Sequence, residues 1–163
     1  MANEVNLIDC VEELTQKQIV MRGDVYVYFD TKKDVEKSII DEAKKLKESK
    51  DLELIRNEKT IDIKNNFTEQ EKENVLIDDV LYQGGYDSAN KLDSAKRLSE
   101  SAGFETVTFY DADNIGHDLS IDDANLIVIR VAGKYQDDFK KYQSLKVEIK
   151  NAKTKEEIEA IKW

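Results

Sequence analysis

The chain has 163 residues, 40% apolar and 37% charged, with 35 acidic against 25 basic side chains and a formal net charge of −10. That length suits one ordinary domain or two small ones, and the apolar share separates it from disordered chains. The acidic balance excludes the uniform cationic footprint of a direct nucleic-acid binder, and no apolar run approaches the ~18 residues of a membrane span.

Other global features narrow the class. Up to Gln83 there are 20 acids and 13 bases, and beyond it 15 and 12, so neither half is a block of one sign. Proline is absent, which removes the strongest helix breaker and favours long helices. The single cysteine, Cys10, cannot form an internal disulfide and fits a reducing compartment. It is expected as a small apolar residue on a short N-terminal helix. The start of the chain has no signal-peptide pattern, so use without crossing a membrane by the secretory route is expected.

In chain order, residues 3 to 20 have mixed helical character. Val25-Tyr26-Val27-Tyr28-Phe29 is β-branched and aromatic throughout and predicts a strand. Asp30-Thr31 is placed to cap a following helix, with Val35, Ile39, Ala43 and Leu46 as its apolar stripe and an end near Ser49–Lys50. Leu52–Ile55 and Thr60–Ile63 alternate as two short strands of a hairpin. Thr68-x-x-Glu71 has the form of a capping box opening a further helix. The Gly84-Gly85 pair relaxes the backbone, so a boundary is expected there. It divides a small α+β part, residues 1 to 83, from a module over residues 86 to 163.

The module is the clearer half. A helix is predicted from about Asp87 to Ala102, with Gly103 as a left-handed cap. Phe104–Tyr110 forms a strand, and a turn over Asp111–His117 brings the chain back as a hairpin. Ser120, with Asp122 and Asp123 behind it, starts a helix reaching about Lys150, roughly 30 residues or ~45 Å. Its first half is apolar nearly all round. Its second half narrows to the stripe Tyr135, Phe139, Tyr142, Leu145 and Ile149, spaced by threes and fours like a helix seam. Thr154-x-x-Glu157 opens a last short helix ending at Trp163. The fold class is therefore α+β: an N-terminal strand, helix and hairpin, then a helix, β-hairpin and long-helix module with a short C-terminal helix.

Catalytic and ligand motifs do not assemble. His117 is the only histidine, and a lone turn histidine is expected to be solvated. The run Asp111-x-Asp113-x-Ile115-Gly116 begins like a calcium loop, but Ile115 replaces an oxygen ligand and Asp122 stands where glutamate is required. No Gly-Lys-Ser/Thr follows Gly84-Gly85, so it is not a phosphate loop. No catalytic residue, metal or cofactor is expected. The candidate site is a protein interface made by the long-helix stripe, Tyr135, Phe139, Tyr142, Leu145 and Ile149, together with Trp163. Of these, Tyr135, Phe139 and Tyr142 are expected to stay available for association.

From Ser120 to Trp163 the chain resembles an uncharacterised domain at the C-termini of bacteriophage tail and tail-fibre proteins. The matching residues are Ile121, Ala124, Tyr135 and Phe139, then the closing phrase from Ile149 to Trp163, in which a turn of the type Ala-x-Thr precedes an acidic helix and a terminal tryptophan. The helix and hairpin from Ser88 to Leu119 are compatible with it; residues 1 to 83 resemble nothing familiar. The resemblance implies context without an activity: a non-enzymatic tail structural or adaptor protein at the baseplate or a fibre. Such a protein is made in the host cytoplasm and resides in the virion tail. Its expected partners are other tail or fibre proteins, with a homo-oligomer possible and neither nucleic acid nor membrane. The alternatives are a tail-fibre assembly chaperone and a small acidic inhibitor of a host defence enzyme.

Overall fold

The computed structural model describes residues 5–163, and the architecture is α+β. Helix α1 (Leu7–Thr15) leads into the hairpin β1 (Ile19–Arg22) and β2 (Val25–Tyr28). Helix α2 (Lys37–Gln70) precedes a second hairpin, β3 (Val75–Ile77) and β4 (Val80–Tyr82), and then α3 (Tyr86–Ser101). A third hairpin, β5 (Thr106–Tyr110) and β6 (Gly116–Ser120), feeds α4 (Ile121–Asn151) and the short α5 (Lys155–Ala160). The three hairpins are separate two-stranded antiparallel sheets.

The largest departure from expectation is α2. The hairpin expected over residues 52 to 63 is helix, and the helix expected to stop near Lys50 runs on to Gln70. Leu52/Leu54 and Ile61/Ile63 alternate like strand residues. Yet Leu54 and Ile61 are exposed, while Ile63 is buried and Phe67, one turn further on the same face, is half-buried. No glycine or proline lies between Gly23 and Gly84 to stop propagation. The supposed capping box at Thr68 is consequently the end of a helix: Thr68 Oγ1 donates back to Lys64 O at 3.0 Å. Asp30-Thr31 does not cap α2 either; it belongs to a turn in which Lys32 takes φ 57°. The helix expected over residues 3 to 20 is the shorter α1, capped by Asn6, and the chain from Ile19 is strand.

The module's ends follow the local chemistry read from the residues. Gly103 (φ 77°) and Phe104 close α3 in a Schellman arrangement, with Gly103 N donating to Glu100 O and Phe104 N to Ser99 O. Ser120 caps α4 by accepting from Asp123 N at 3.1 Å. Thr154 and Glu157 form a reciprocal box, each side chain accepting from the other's backbone N–H.

The chain divides into two compact units. One comprises the residues up to Thr60 with Ile149–Ala160; the other comprises Ile61–Glu148 with Ile161–Trp163. The boundary expected at Gly84-Gly85 therefore falls inside the second unit. Ile77 and Tyr82 of the β3–β4 hairpin share one core with Val107, Phe109, Ala124, Ile127 and Val131. The glycine pair serves close approach rather than flexibility: a Cβ on Gly84 would lie 2.9 Å from the Glu73 carbonyl carbon, and Gly85 has φ 94°. The first unit has its own core around Cys10, Val11, Ile19, Val35 and Ala43. There Cys10 is wholly buried, as its expected structural role requires, and burial pushes its thiol pKa up.

Candidate interaction surface

The C-terminal half of α4 meets the end of α2 through aromatic rings. Phe67 stacks on Tyr142 with centroids 4.9 Å apart and planes 11° apart, and it lies 6.1 Å from both Tyr135 and Phe139. Trp163 folds back to 6.2 Å from the same ring. Tyr86, at the start of α3, packs on Tyr135 at 5.3 Å. Lysines lie over two of the rings: Lys141 Nζ is 4.6 Å from the Trp163 ring and Lys146 Nζ is 5.1 Å from that of Tyr142. Lys134 holds the assembly from the side. It donates to Gln70 O at 2.6 Å, where the last carbonyls of α2 lack helical partners, and it pairs with Asp138 at 2.8 Å.

The stripe is therefore mostly internal. Leu145 and Ile149 are buried, and Ile149 belongs to the other compact unit. Tyr135, Tyr142 and Trp163 are half-buried. Only Phe139, 37% exposed, keeps a large free face. Phe67 is not among the residues expected at this surface, because the sequence pattern ends the second helix near Lys50. The i+4 step from Ile63 to Phe67 was the signal that could have found it.

His117 also differs from the solvated residue expected. It is half-buried, and its Nε2 lies 2.8 Å from Asp111 Oδ2. Asp111 is 7% exposed, and its Oδ1 accepts from the N–H groups of Asp113 and Ile115, both at 2.9 Å. The His117 hydrogen bond, followed by that of Ile115, holds the Asp111 carboxyl below its usual range despite burial. Both carboxylate oxygens are thus engaged in shaping the β5–β6 turn. Among the described residues, no group of three His, Cys, Asp or Glu side chains is placed to hold a metal ion. Likewise, no described helix is long and apolar enough to cross a membrane. A scan of protein-family models, a search of curated proteins and a search of solved structures each gave no match to this chain.

Proposed function

We propose that this protein is a non-enzymatic structural or adaptor component of a bacteriophage tail, associated with the baseplate or a tail fibre. It acts through contacts with other tail or fibre proteins or with further copies of itself. It is made in the host cytoplasm and resides in the virion tail. The observation that carries this reading is the C-terminal segment. There α4 passes through Ala152-Lys153 into the Thr154/Glu157 box, then into the acidic α5, and ends on Trp163 against Phe67. That order of parts is the one the tail-protein resemblance implies. Exposed large apolar side chains in the second unit, among them Leu76, Leu98, Phe104 and Ile115, add surface of the kind protein contacts use.

The test is quantitative mass spectrometry of purified particles beside infected-cell lysate. A fixed copy number per tail is expected. Abundance in the lysate with absence from particles would overturn tail residence and turn the assignment to an assembly chaperone.

A further inference from the structure

One edge of the β5–β6 hairpin is left open. In an antiparallel pair, alternate residues bond to the partner strand and the others turn their N–H and C=O outward. Asp111 N donates to Ile115 O at 3.0 Å in the same register as the Val107–Leu119 and Phe109–His117 pairs. Those residues consequently bond across the hairpin, and Thr106, Thr108 and Tyr110 face away from β6. Among the described residues, no hydrogen bond reaches their outward groups. Ala112, next on the same edge, does have a partner: its N–H donates to Leu81 O at 2.7 Å. β4 thus touches the edge of β5 at one point and leaves it.

The β1–β2 hairpin shows the same problem solved internally. Tyr28 N donates to Lys33 O, Lys32 N to Tyr28 O and Val35 N to Tyr26 O, so the chain's own return covers the outer edge of β2. Strand edges are usually covered, charged or broken by proline. β5 is Thr-Val-Thr-Phe-Tyr, with neither a charge nor a proline.

Beside that open edge lies a cleft of about 270 Å³. Thr108, Phe109 and Tyr110 line one side, and Lys91, Leu92 and Ala95 of α3 line the other. A free strand edge facing a helix across a cleft suits an extended peptide, whose backbone bonds to the edge while side chains enter the cleft. Lys91 is the charged residue of the cleft lining, on the α3 side. The hairpin that carries the edge, residues 104 to 120, has four acids and no lysine or arginine, so the hairpin side attracts cations.

We propose that this cleft binds an extended, basic segment of a partner protein, which adds as a strand to β5. The segment's backbone pairs with Thr108 and Tyr110. An apolar side chain enters the cleft against Leu92 and Ala95, and lysine or arginine side chains on its other face meet the exposed acids of the hairpin, Glu105, Asp113 and Asp118. This inference is independent of the tail assignment.

The test uses NMR of the full chain with a capped synthetic peptide of alternating lysine and valine. The Thr108 and Tyr110 amides should shift and exchange at least about tenfold more slowly on binding. Three changes should each weaken binding by about tenfold or more: glutamate in place of the peptide's lysines, N-methylation of the peptide amides that face β5, and Thr108→Pro in the protein. Thr108→Pro removes an N–H with no internal partner, on an edge where proline is tolerated. The N-methylated peptide supplies the same information without altering the fold. The proposal is overturned by no binding at about millimolar peptide, by equal affinity for the glutamate peptide, or by indifference to N-methylation. Concentration-dependent protection of the same amides without peptide would overturn the basic partner in favour of a second copy.

Discussion

Gly84→Ala isolates the packing of the second unit from its helical content. The new Cβ would lie inside the contact shell of the Glu73 carbonyl oxygen, 2.9 Å from its carbon and 3.3 Å from Glu71 O. Ordinary contact needs roughly 3.5 Å, and the atoms in the way are backbone, which cannot rotate aside as a side chain would. The chain must move where the C-terminal end of α2 meets the start of α3. That places at risk the bonds Glu71 N to Phe67 O, Glu73 N to Gln70 O and Ala89 N to Gly85 O. Overpacking a core commonly costs about 1–3 kcal/mol, and a backbone clash with lost turn bonds brings this to about 3–5 kcal/mol. A domain's whole stability is ~5–15 kcal/mol. Trp163 is the only tryptophan and packs on Phe67, so its fluorescence reports on this unit during urea unfolding. Gly133→Ala is the control. It lies within α4 with nothing within 4 Å of its added Cβ, and should stabilise by about 0.5–1 kcal/mol. A Gly84→Ala protein within about 1 kcal/mol of the parent, at unchanged urea slope, would refute the close-approach reading.

Phe67→Ala should cost about 2–4 kcal/mol, because one half-buried ring contacts four others, and it should red-shift Trp163 emission; unchanged emission would place the tryptophan elsewhere. The Asp111 carboxyl is held below its ordinary value, so its stabilising contribution is complete above about pH 4 and disappears as pH falls through the folded-state value. Asp111→Asn should therefore flatten the acid limb of the stability profile, and a carboxyl NMR titration at the ordinary value would contradict this. A fragment of residues 86 to 163 lacks Ile77, Tyr82 and Phe67, so circular dichroism should show a broad melt; a sharp cooperative one would restore the boundary at Gly84-Gly85.

What the sequence disclosed depended on how local the determining forces were. The module from α3 to α5 was legible because its starts and stops are written in neighbouring residues: Gly103 after α3, Ser120 with Asp123 before α4, and Thr154 with Glu157 before α5. Long α2 was not legible, because Leu52, Leu54, Ile61 and Ile63 support either period and only the partners of Ile63 and Phe67 decide between them. Gly84-Gly85 misled for a related reason. A glycine pair looks alike whether it frees the backbone or lets another backbone come close, and the Glu71–Glu73 turn that fills the space is reached only through the correct end of α2. His117 looked free because its partner, Asp111, lies across a turn whose geometry the carboxylate itself sets.

The ring contacts around α4 set what docking on that helix would cost. A stripe at seam spacing on α4 suggested association through the long helix. Phe67, Tyr86 and Trp163 lie against that stripe, with Lys146 over the Tyr142 ring and Lys141 over that of Trp163, so a partner there would have to displace contacts already made. The hairpins present the opposite situation. On β3–β4, Leu76 and Leu81 are direct cross-strand partners and both face outward, 64% and 40% exposed, while Ile77 and Tyr82 fill the core from the other face. On β5–β6, Tyr110 is 64% exposed and its ring lies against Gly116, where a Cβ would come within 3.4 Å of it. Ala112 joins the two hairpins through Leu81 O. A partner arriving at the hairpins gains apolar area and open backbone groups without breaking an existing contact, whereas one arriving at the α4 stripe must first separate stacked rings. Docking at the hairpins therefore costs less in existing contacts than docking at the α4 stripe.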